Sequence, residues 1–505
     1  MHHMRQPNVL VLFSDQHKAN VLSCENHPDV ATPNLDRLAA QGVRFTRAYC
    51  QDAICVPSRC SMFSGLYPRT LGSLDNSGGS RVIQQVVSMQ KAFQQAGYRT
   101  GAFGKRHLRG ACDEGWDVTA SHMYRESPHG NYVTWVQEQG YGPEFAHDWA
   151  AEFGRGPHGS SEEDADIPFA ILGTRASRLP KGMTMEAYTA QKTRAFLAQC
   201  AQENVPFFCF SSYYRPHQPY TPLPSYWQRH DRTRWGEGTN RGDAIAKPQT
   251  LEDAPESLPP MLQGQFQGEN RVWRLDLARE DEQYYRDYIS AYYALVEEID
   301  DHIGGVLAAL EELGLLDHTI VIYTSDHGDF CGAHGMIEKC AAGHNVYEDT
   351  LRVPLIVRYP EGIAPHLCND LVELVDLYPT LLELCHIPAP ESVWPLQGRS
   401  LAAELPDPAI PGARPYIVSE NWTQATVVTQ THKLGVWIDP GPRYARDFRN
   451  QFPDMLFDLV NDPQETRNLI GQPQVADIER TLRSYLNQWI DTMPDDGRRQ
   501  AIDNR

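Results

Sequence analysis

Five short apolar runs, each ending abruptly in polar residues, constrain this chain more than any other feature. They are Val9–Phe13, Thr100–Phe103, Phe207–Phe210, Thr319–Tyr323 and Pro354–Val357. A strand with one wet face alternates apolar and polar residues. An uninterrupted run therefore predicts a strand covered on both faces, as in a parallel sheet between helices. The intervening sequence supplies such helices. Within Tyr288–Leu313, apolar residues from Ile289 and Tyr292 through Val296, Ile299, Ile303 and Val306 to Leu310 recur at three- and four-residue steps. That is the stripe of a helix lying on a sheet. Strands alternating with helices predict an α/β layered fold with a large, mostly parallel sheet.

Two stretches break this rhythm. Residues 121–185 and 225–285 are rich in Gly, Pro, aromatic and charged residues, and long irregular insertions of this kind are expected as lids or binding loops. Beyond Pro411 the runs shorten to Tyr416–Ser419, Ala425–Thr429, Leu434–Ile438 and Met455–Leu459, followed by a helical pattern near Ile478–Ile490. These predict a small antiparallel sheet with one helix. The expected organisation is a catalytic α/β domain over residues 1–410 and a small C-terminal α+β subdomain over 411–505.

Charge narrows the partners. Forty-five basic side chains against 65 acidic ones give a formal net charge of −20. A field of that sign repels nucleic acid and anionic lipid, and an anionic substrate would need a local basic pocket. Eleven irregularly spaced cysteines do not suggest a disulfide framework. No run approaches the ~20 apolar residues of a membrane span. Met1-His2-His3-Met4-Arg5-Gln6-Pro7 lacks the apolar region of a secretory leader, so a cytoplasmic protein is expected.

In an open α/β sheet, ligands bind beyond the carboxyl ends of the strands. The first run leads into Ser14-Asp15-Gln16-His17 and a later one into Ser325-Asp326-His327-Gly328. Oxygens from Asp15, Gln16 and Asp326, with a nitrogen from His327, suit a hard or borderline divalent cation. Taken singly, each Asp reads more simply as a cap on a loop or helix. A third element is Cys55-Val56-Pro57-Ser58-Arg59, followed by Met62-Phe63-Ser64-Gly65. A lone cysteine is usually a small core residue.

This last segment, however, resembles the signature of the type I sulfatases, in which the cysteine is oxidised to formylglycine before folding. A second signature of that family resembles Gly97-Tyr98-Arg99-Thr100-Gly101-Ala102-Phe103-Gly104-Lys105-Arg106-His107. Further ordered likenesses run from Thr32-Pro33-Asn34-Leu35-Asp36-Arg37-Leu38 through Arg352-Val353-Pro354-Leu355-Ile356 and Val375-Asp376-Leu377-Tyr378-Pro379-Thr380 to Leu456-Phe457-Asp458-Leu459-Val460-Asn461-Asp462-Pro463. On these the chain is identified as a member of the sulfatase branch of the alkaline phosphatase superfamily. The resemblance implies hydrolysis of an alcohol or aryl sulfate ester by a metal-bound formylglycine hydrate at position 55, through a covalent sulfo-enzyme intermediate. One hydroxyl of the hydrate attacks sulfur, and loss of the proton from the other expels sulfate. Arg59 holds the hydrate, and Lys105, His107 and Lys339 bind the sulfate. His217, in Arg215-Pro216-His217-Gln218-Pro219, contacts the ester and can protonate the leaving oxygen. Asn76 resembles an amide donor to substrate found in some members. Asp15, Gln16, Asp326, His327 and the modified Cys55 bind the metal. Calcium is the family default, and the imidazole also admits manganese or zinc. The implied partners are a small anionic sulfate ester and a formylglycine-generating enzyme.

The chain departs from the commonest pattern at Val56, where a small residue is usual, and in the pairs Asp15-Gln16 and Asp326-His327. Those pairs resemble the subgroup containing choline sulfatases and phosphonate monoester hydrolases. Lys105-x-His107 points back to sulfatases, because the phosphonate hydrolases carry Tyr and Thr there. Rival readings are therefore a phosphonate monoester or phosphodiester hydrolase using the same nucleophile, and a silent binding protein with Cys55 unoxidised. Trp135, Trp149, Trp227 and Trp235 are placed either to line a pocket for the leaving group or to cover the core. The segment Asn487–Arg505 offers a surface for packing against a second copy.

Overall fold

The computed structural model describes residues 6–76, 79, 81–122, 130–153, 174–236, 244–266, 282–339, 345–406, 412, 414–421, 424–437 and 453–494. In chain order the strands are β1 Asn8–Asp15, β2 Val43–Tyr49, β3 Arg99–Gly104, β4 Val118–Ser121, β5 Phe207–Pro216, β6 Asp231–Gly236, β7 Ala244–Ala246, β8 Thr319–Ser325, β9 Arg352–Arg358, β10 His366–Cys368 and β11 Val372–Glu373. The C-terminal strands are β12 Ile417–Glu420, β13 Gln424–Val428, β14 His432–Trp437 and β15 Met455–Asp458. A nine-stranded sheet has the order β10-β2-β9-β8-β1-β5-β3-β4, with β11 also pairing β2.

All five apolar runs are strands of this sheet. Alternate residues of β1 enter two cores: Val9, Val11 and Phe13 pack with Phe208, Phe210 and Ile322 on one face, while Leu10 and Leu12 pack with Val321 and Tyr323 on the other. Burial on both faces is what removes the alternation from the sequence. The helix expected over 288–313 spans Glu282–Glu312, and its carboxyl half inserts Ile299, Ile303, Val306, Leu307 and Leu310 into the second core.

One strand corrects the expectation of parallel pairing. β9, which carries the Pro354–Val357 run, is antiparallel to both β8 and β2. After β8 the chain stays at that strand's carboxyl end, the described residues making a 3-10 turn at Ala333–Gly335 and the short helix Glu348–Leu351 before β9 begins. Without a crossover to the other end of the sheet, the next strand must run back. Pro354, which has no N–H to give the ladder, faces a register shift in β2 between Phe45 and Ala48, an irregularity of the kind that accommodates proline. β2 itself was not among the expected strands, because its sequence interleaves Arg44, Thr46 and Arg47 with the buried Val43, Phe45 and Ala48.

The two irregular insertions contain more structure than loops. The first holds helices Tyr132–Glu138 and Gly142–Phe153, and the second holds the pair β6–β7 and helix Pro260–Phe266. Parts of both, residues 123–129, 154–173, 237–243 and 267–281, lie outside the described residues. The four tryptophans of these insertions singled out above pack against the cores: Trp149 and Trp227 are buried, with Trp135 and Trp235 partly buried beside them.

β12 to β15 form the expected antiparallel sheet, covered by helix Ala476–Thr492. Its core shares Tyr67 and Val375 with the larger part of the chain. Lys433, fully buried on β14, is paired with Glu348 at 3.2 Å and with Glu465. The expected boundary at 410/411 and the end of the Asn487–Arg505 segment fall outside the described residues. No helix among the described residues is long and apolar enough to cross a membrane.

Gly104 closes β3 with a left-handed φ of +86°, and a Cβ there would lie 2.0 Å from the Ser212 carbonyl oxygen. Gly104→Ala is therefore expected to cost about 2–3 kcal/mol in denaturant unfolding and to displace the following Lys105. Gly305→Ala, inside the long helix with nothing within 4 Å, should instead stabilise by about 0.5–1 kcal/mol.

Candidate active site

Strand order lines up the chemistry. β8, β1, β5 and β3 are parallel neighbours, and at their carboxyl ends stand Asp326, Asp15, His217 and Lys105 respectively. Ser14 pairs with Ser325, so the two aspartates leave adjacent strands side by side.

Cys55 is the first residue of the helix Cys55–Ser64, all ten residues of which are buried. Ile54 provides no side-chain cap. The exposed Asn76 does so instead, its Oδ1 accepting from the Val56 N–H at 3.0 Å. The residue expected to donate to substrate thus secures the helix that carries Cys55. Cys55 Sγ lies 3.3 Å from His327 Nε2, 3.8 Å from Lys105 Nζ and 3.9 Å from Asp15 Oδ1. Burial pushes the thiol up to about 11, with Asp15 adding to the shift and Lys105 partly offsetting it. The unmodified side chain is a protonated thiol at neutral pH, not an activated thiolate.

Arg59, one helical turn further on, is fully buried beneath the two aspartates. Its Nε donates to Asp326 Oδ2 and its Nη2 to Asp15 Oδ2, both at 2.7 Å. Nη1 donates to the carbonyls of Lys105 and Arg106 and to Ser212 Oγ, at 2.6, 3.1 and 3.1 Å. Lys105 Nζ lies 2.6 Å from Asp15 Oδ2. Burial alone would raise the Asp15 carboxyl, but Lys105, His217, Arg59 and His327 outweigh it and hold the group well below its ordinary value.

His327 donates from Nδ1 to the Gly328 carbonyl at 2.9 Å, which leaves the Nε2 lone pair facing Cys55 and Asp326. Burial, only partly offset by Asp326, lowers its pKa and favours neutral imidazole. His217 is arranged likewise: Nδ1 donates to the Gln218 carbonyl at 2.9 Å, and Nε2 lies 3.9 Å from Asp15 Oδ1. His107, with a left-handed φ of +50°, has a buried Nδ1 without a partner, and burial beside Lys105 and Arg59 lowers its pKa to about 2. Lys339 donates to Gln16 Oε1 at 2.8 Å, while Gln16 Nε2 donates to Asp329 Oδ2 at 2.8 Å. That pairing fixes which end of the amide is oxygen, because an ammonium requires an acceptor.

Asp329 is a site-supporting residue that sequence reading missed. Buried, and bonded also to Tyr288 OH at 2.6 Å, it anchors Gln16 from the same loop that carries Asp326. Its position three residues after Asp326 was the available signal. Tyr220, three residues after His217, joins the same group through contacts of 3.4 Å to both Gln16 and Asp329.

Ligand atoms of Asp15, Cys55, Asp326 and His327 all lie within 4.8 Å of one another. Two carboxylates and a neutral imidazole whose other nitrogen is tied to a carbonyl form a donor set and outer shell that fit a divalent cation.

A mostly parallel sheet with acidic residues at two strand ends and a buried helix N-terminus facing them defines a hydrolase of alkaline-phosphatase-like architecture. The family model "Sulfatase" matches residues 7–387, and that of the "N-sulphoglucosamine sulphohydrolase, C-terminal" region matches residues 332–492. The chain belongs to the sulfatase family and is a sulfuric ester hydrolase. It is 28% identical to an uncharacterized sulfatase, YidJ, of Escherichia coli, over 97% of this chain and 88% of that one. It is 26% identical to an N-acetylglucosamine-6-O-sulfatase of Bacteroides thetaiotaomicron, over 99% and 91% of the two chains. In structure it resembles a phosphonate monoester hydrolase of Agrobacterium radiobacter, with a TM-score of 0.76, 20% identity and coverage of 97% and 96%.

Removing Asp326 would leave the Arg59 guanidinium short of a buried counter-charge. Asp326→Ala is expected to lose about 3–5 kcal/mol of unfolding free energy, read by urea titration, and to abolish stoichiometric metal binding, read by elemental analysis. Full metal occupancy in the folded variant would remove Asp326 from the ligand set.

Proposed function

We propose that the protein hydrolyses a small sulfate ester at position 55, using formylglycine made from Cys55. The observation that carries the reading is the convergence on Cys55 Sγ of His327, Lys105 and Asp15, all within 3.9 Å. A thiol held protonated by burial is unsuited to attack sulfur as it stands, and oxidation to an aldehyde hydrate would supply one hydroxyl to attack and a second to expel sulfate. Asp15, Asp326 and His327 are the residues that would hold a divalent cation, calcium by family default, with the Gln16 oxygen joining them once released by Lys339. When bound, the cation would lower the pKa of the attacking hydroxyl and offset the charge of the ester.

The remaining side chains divide the work by charge and reach. Lys105 and Lys339 bring ammonium groups to the sulfate oxygens, and His107 adds the donor of a half-buried imidazole. Arg59 acts from below: its guanidinium gives one N–H to each aspartate and holds the two aligned. His217 lies at the end of β5, between Asp15 and Lys105 in strand order, where its Nε2 can hand a proton to the departing oxygen. Burial and the Lys105 ammonium lower its pKa in the free protein. An arriving anion would offset Lys105 and so raise the ring's proton affinity. Asn76 serves the nucleophile by capping its helix.

Phosphonate monoester hydrolysis is the second reading, favoured by His327 in the metal cluster and by the shared in-line geometry of sulfuryl and phosphoryl transfer. The ratio of aryl sulfate to aryl phosphonate turnover separates the two.

Mass spectrometry of the Cys55 peptide from the natural host should find the aldehyde or its hydrate, and a wholly unmodified thiol would end the proposal. Lys105→Ala should lower kcat/KM for an aryl sulfate by about 2–4 kcal/mol of transition-state stabilisation, and a loss under tenfold would place Lys105 outside the site. Cys55→Ser, confirmed as serine, has one hydroxyl where the hydrate has two. It should turn over at most once and accumulate sulfated serine, whereas sustained turnover would exclude the hydrate mechanism.

A further inference from the structure

We infer that Arg215 and Glu186 form a buried clamp that positions the His217 imidazole for proton transfer to the leaving oxygen. The inference rests on the reading of His217 as proton donor given above.

Arg215 is the penultimate residue of β5, and His217 follows that strand by one residue. The loop that carries His217 leaves the main sheet here, and its far end is held by a parallel bridge of Tyr220 to Thr174 and by the Arg175 and Ser177 N–H groups, which donate to the Tyr220 and Pro222 carbonyls at 3.2 and 2.9 Å. The Arg215 side chain ties the near end, at His217, to the same loop. Its Nη2 donates to Thr221 Oγ1 at 2.8 Å and its Nη1 to the His217 carbonyl at 3.4 Å, so one rigid fork spans residues 215–221 with the imidazole between its contacts. From the other side, Glu186 Oε1 accepts from the Arg215 backbone N–H at 3.3 Å and lies 4.0 Å from its Nε. Glu186 belongs to the first turn of helix Met185–Glu203, where a carboxylate is favoured by the exposed N–H groups, and Thr184 caps that helix by accepting from Ala187. Arg215 and Glu186 side chains are only 8% and 2% exposed. Their polar atoms are turned to each other, to the Arg215 N–H and to the loop, which makes the pair part of the scaffold.

The ring itself is held on two more sides. Its Nδ1 donates to the Gln218 carbonyl, and its face meets Tyr214 with centroids 5.1 Å apart. The same Tyr214 ring carries Lys105 Nζ 4.9 Å from its centroid. To these holds on the ring Arg215 adds one on the His217 backbone, through its carbonyl.

In the step concerned, the deprotonated oxygen of the position-55 hydrate bonds to sulfur as the S–O bond of the ester breaks, and the electron pair of the broken bond stays on the leaving oxygen. The proton on His217 Nε2 passes to that oxygen, and the imidazole returns to its neutral form. Arg215 exchanges no proton. Displacing the donor by about 1 Å is enough to cost on the order of a hundredfold in rate. The loss should depend on how much the leaving oxygen needs its proton.

The test is steady-state kinetics of the matured, metal-loaded enzyme on 4-nitrophenyl sulfate, whose leaving group is acidic, and on phenyl sulfate, whose leaving group is more basic. His217→Ala sets the reference, with an expected loss in kcat of about a hundredfold or more on phenyl sulfate and a much smaller loss on the nitrophenyl ester. Arg215→Met should follow the same pattern at about tenfold on phenyl sulfate, with KM changed by less than about threefold, and Arg215→Lys should recover part of the rate. Glu186→Gln keeps an oxygen for the Arg215 N–H and guards against a folding failure of Arg215→Met; it should lose less than Glu186→Ala, again mainly on phenyl sulfate. Equal slowing of both esters by the Arg215 and Glu186 variants, or no slowing, would overturn the clamp while leaving His217 in place. If His217→Ala itself shows no dependence on the leaving group, the proton-donor reading fails and the clamp's role fails with it.

Discussion

The guanidinium of Arg59 is the group on which the rest of the site depends. Two buried carboxylates at the ends of adjacent strands repel each other. Arg59 bridges them by giving one N–H to each. Its remaining arm reaches two carbonyls at the end of β3 and a serine on β5. One side chain on the helix that begins at Cys55 therefore ties together β8, β1, β5 and β3. A buried ion cluster of this kind adds little net stability, since desolvation consumes most of the Coulombic gain. Its value lies in fixing which atoms face Cys55.

Above that cluster the cations are distributed with a purpose set by reach. Lys105 sits against Asp15 and the Tyr214 ring, so its ammonium is restrained from two directions. Lys339 is held by the Gln16 oxygen, and Gln16 in turn by Asp329. A chain carrying a net charge of −20 thereby presents a local concentration of positive charge at one end of its sheet, where an anion can be received.

The legible parts of the fold were those whose physics is local. β1, β3, β5 and β8 could be read because burial on both faces leaves an uninterrupted apolar run, and the long helix because its stripe repeats over many turns. β2 escaped because it has no uninterrupted apolar run and its alternation breaks at the adjacent Thr46 and Arg47. The reversal of β9 escaped because direction depends on the route between strands, which Pro354–Val357 does not encode. In the site, Asp15, Asp326, Cys55 and Lys105 were found as strand-end residues or by motif. Asp329, Tyr220 and Arg215 were not, since nothing about a buried Asp, Tyr or Arg in a loop announces its partner.

Taken alone, the sequence determined the layered α/β class, the residues available at the strand ends and the likeness to sulfatases, because runs, periods and motifs are properties of neighbouring positions. Tertiary structure decided that Arg59 lies beneath the two aspartates, that Asn76 caps the Cys55 helix, and that the Gln16 oxygen is engaged by Lys339. Each of these contacts joins residues at least 20 positions apart along the chain. Only the sheet's strand order and the directions of its strands bring such residues within hydrogen-bonding distance.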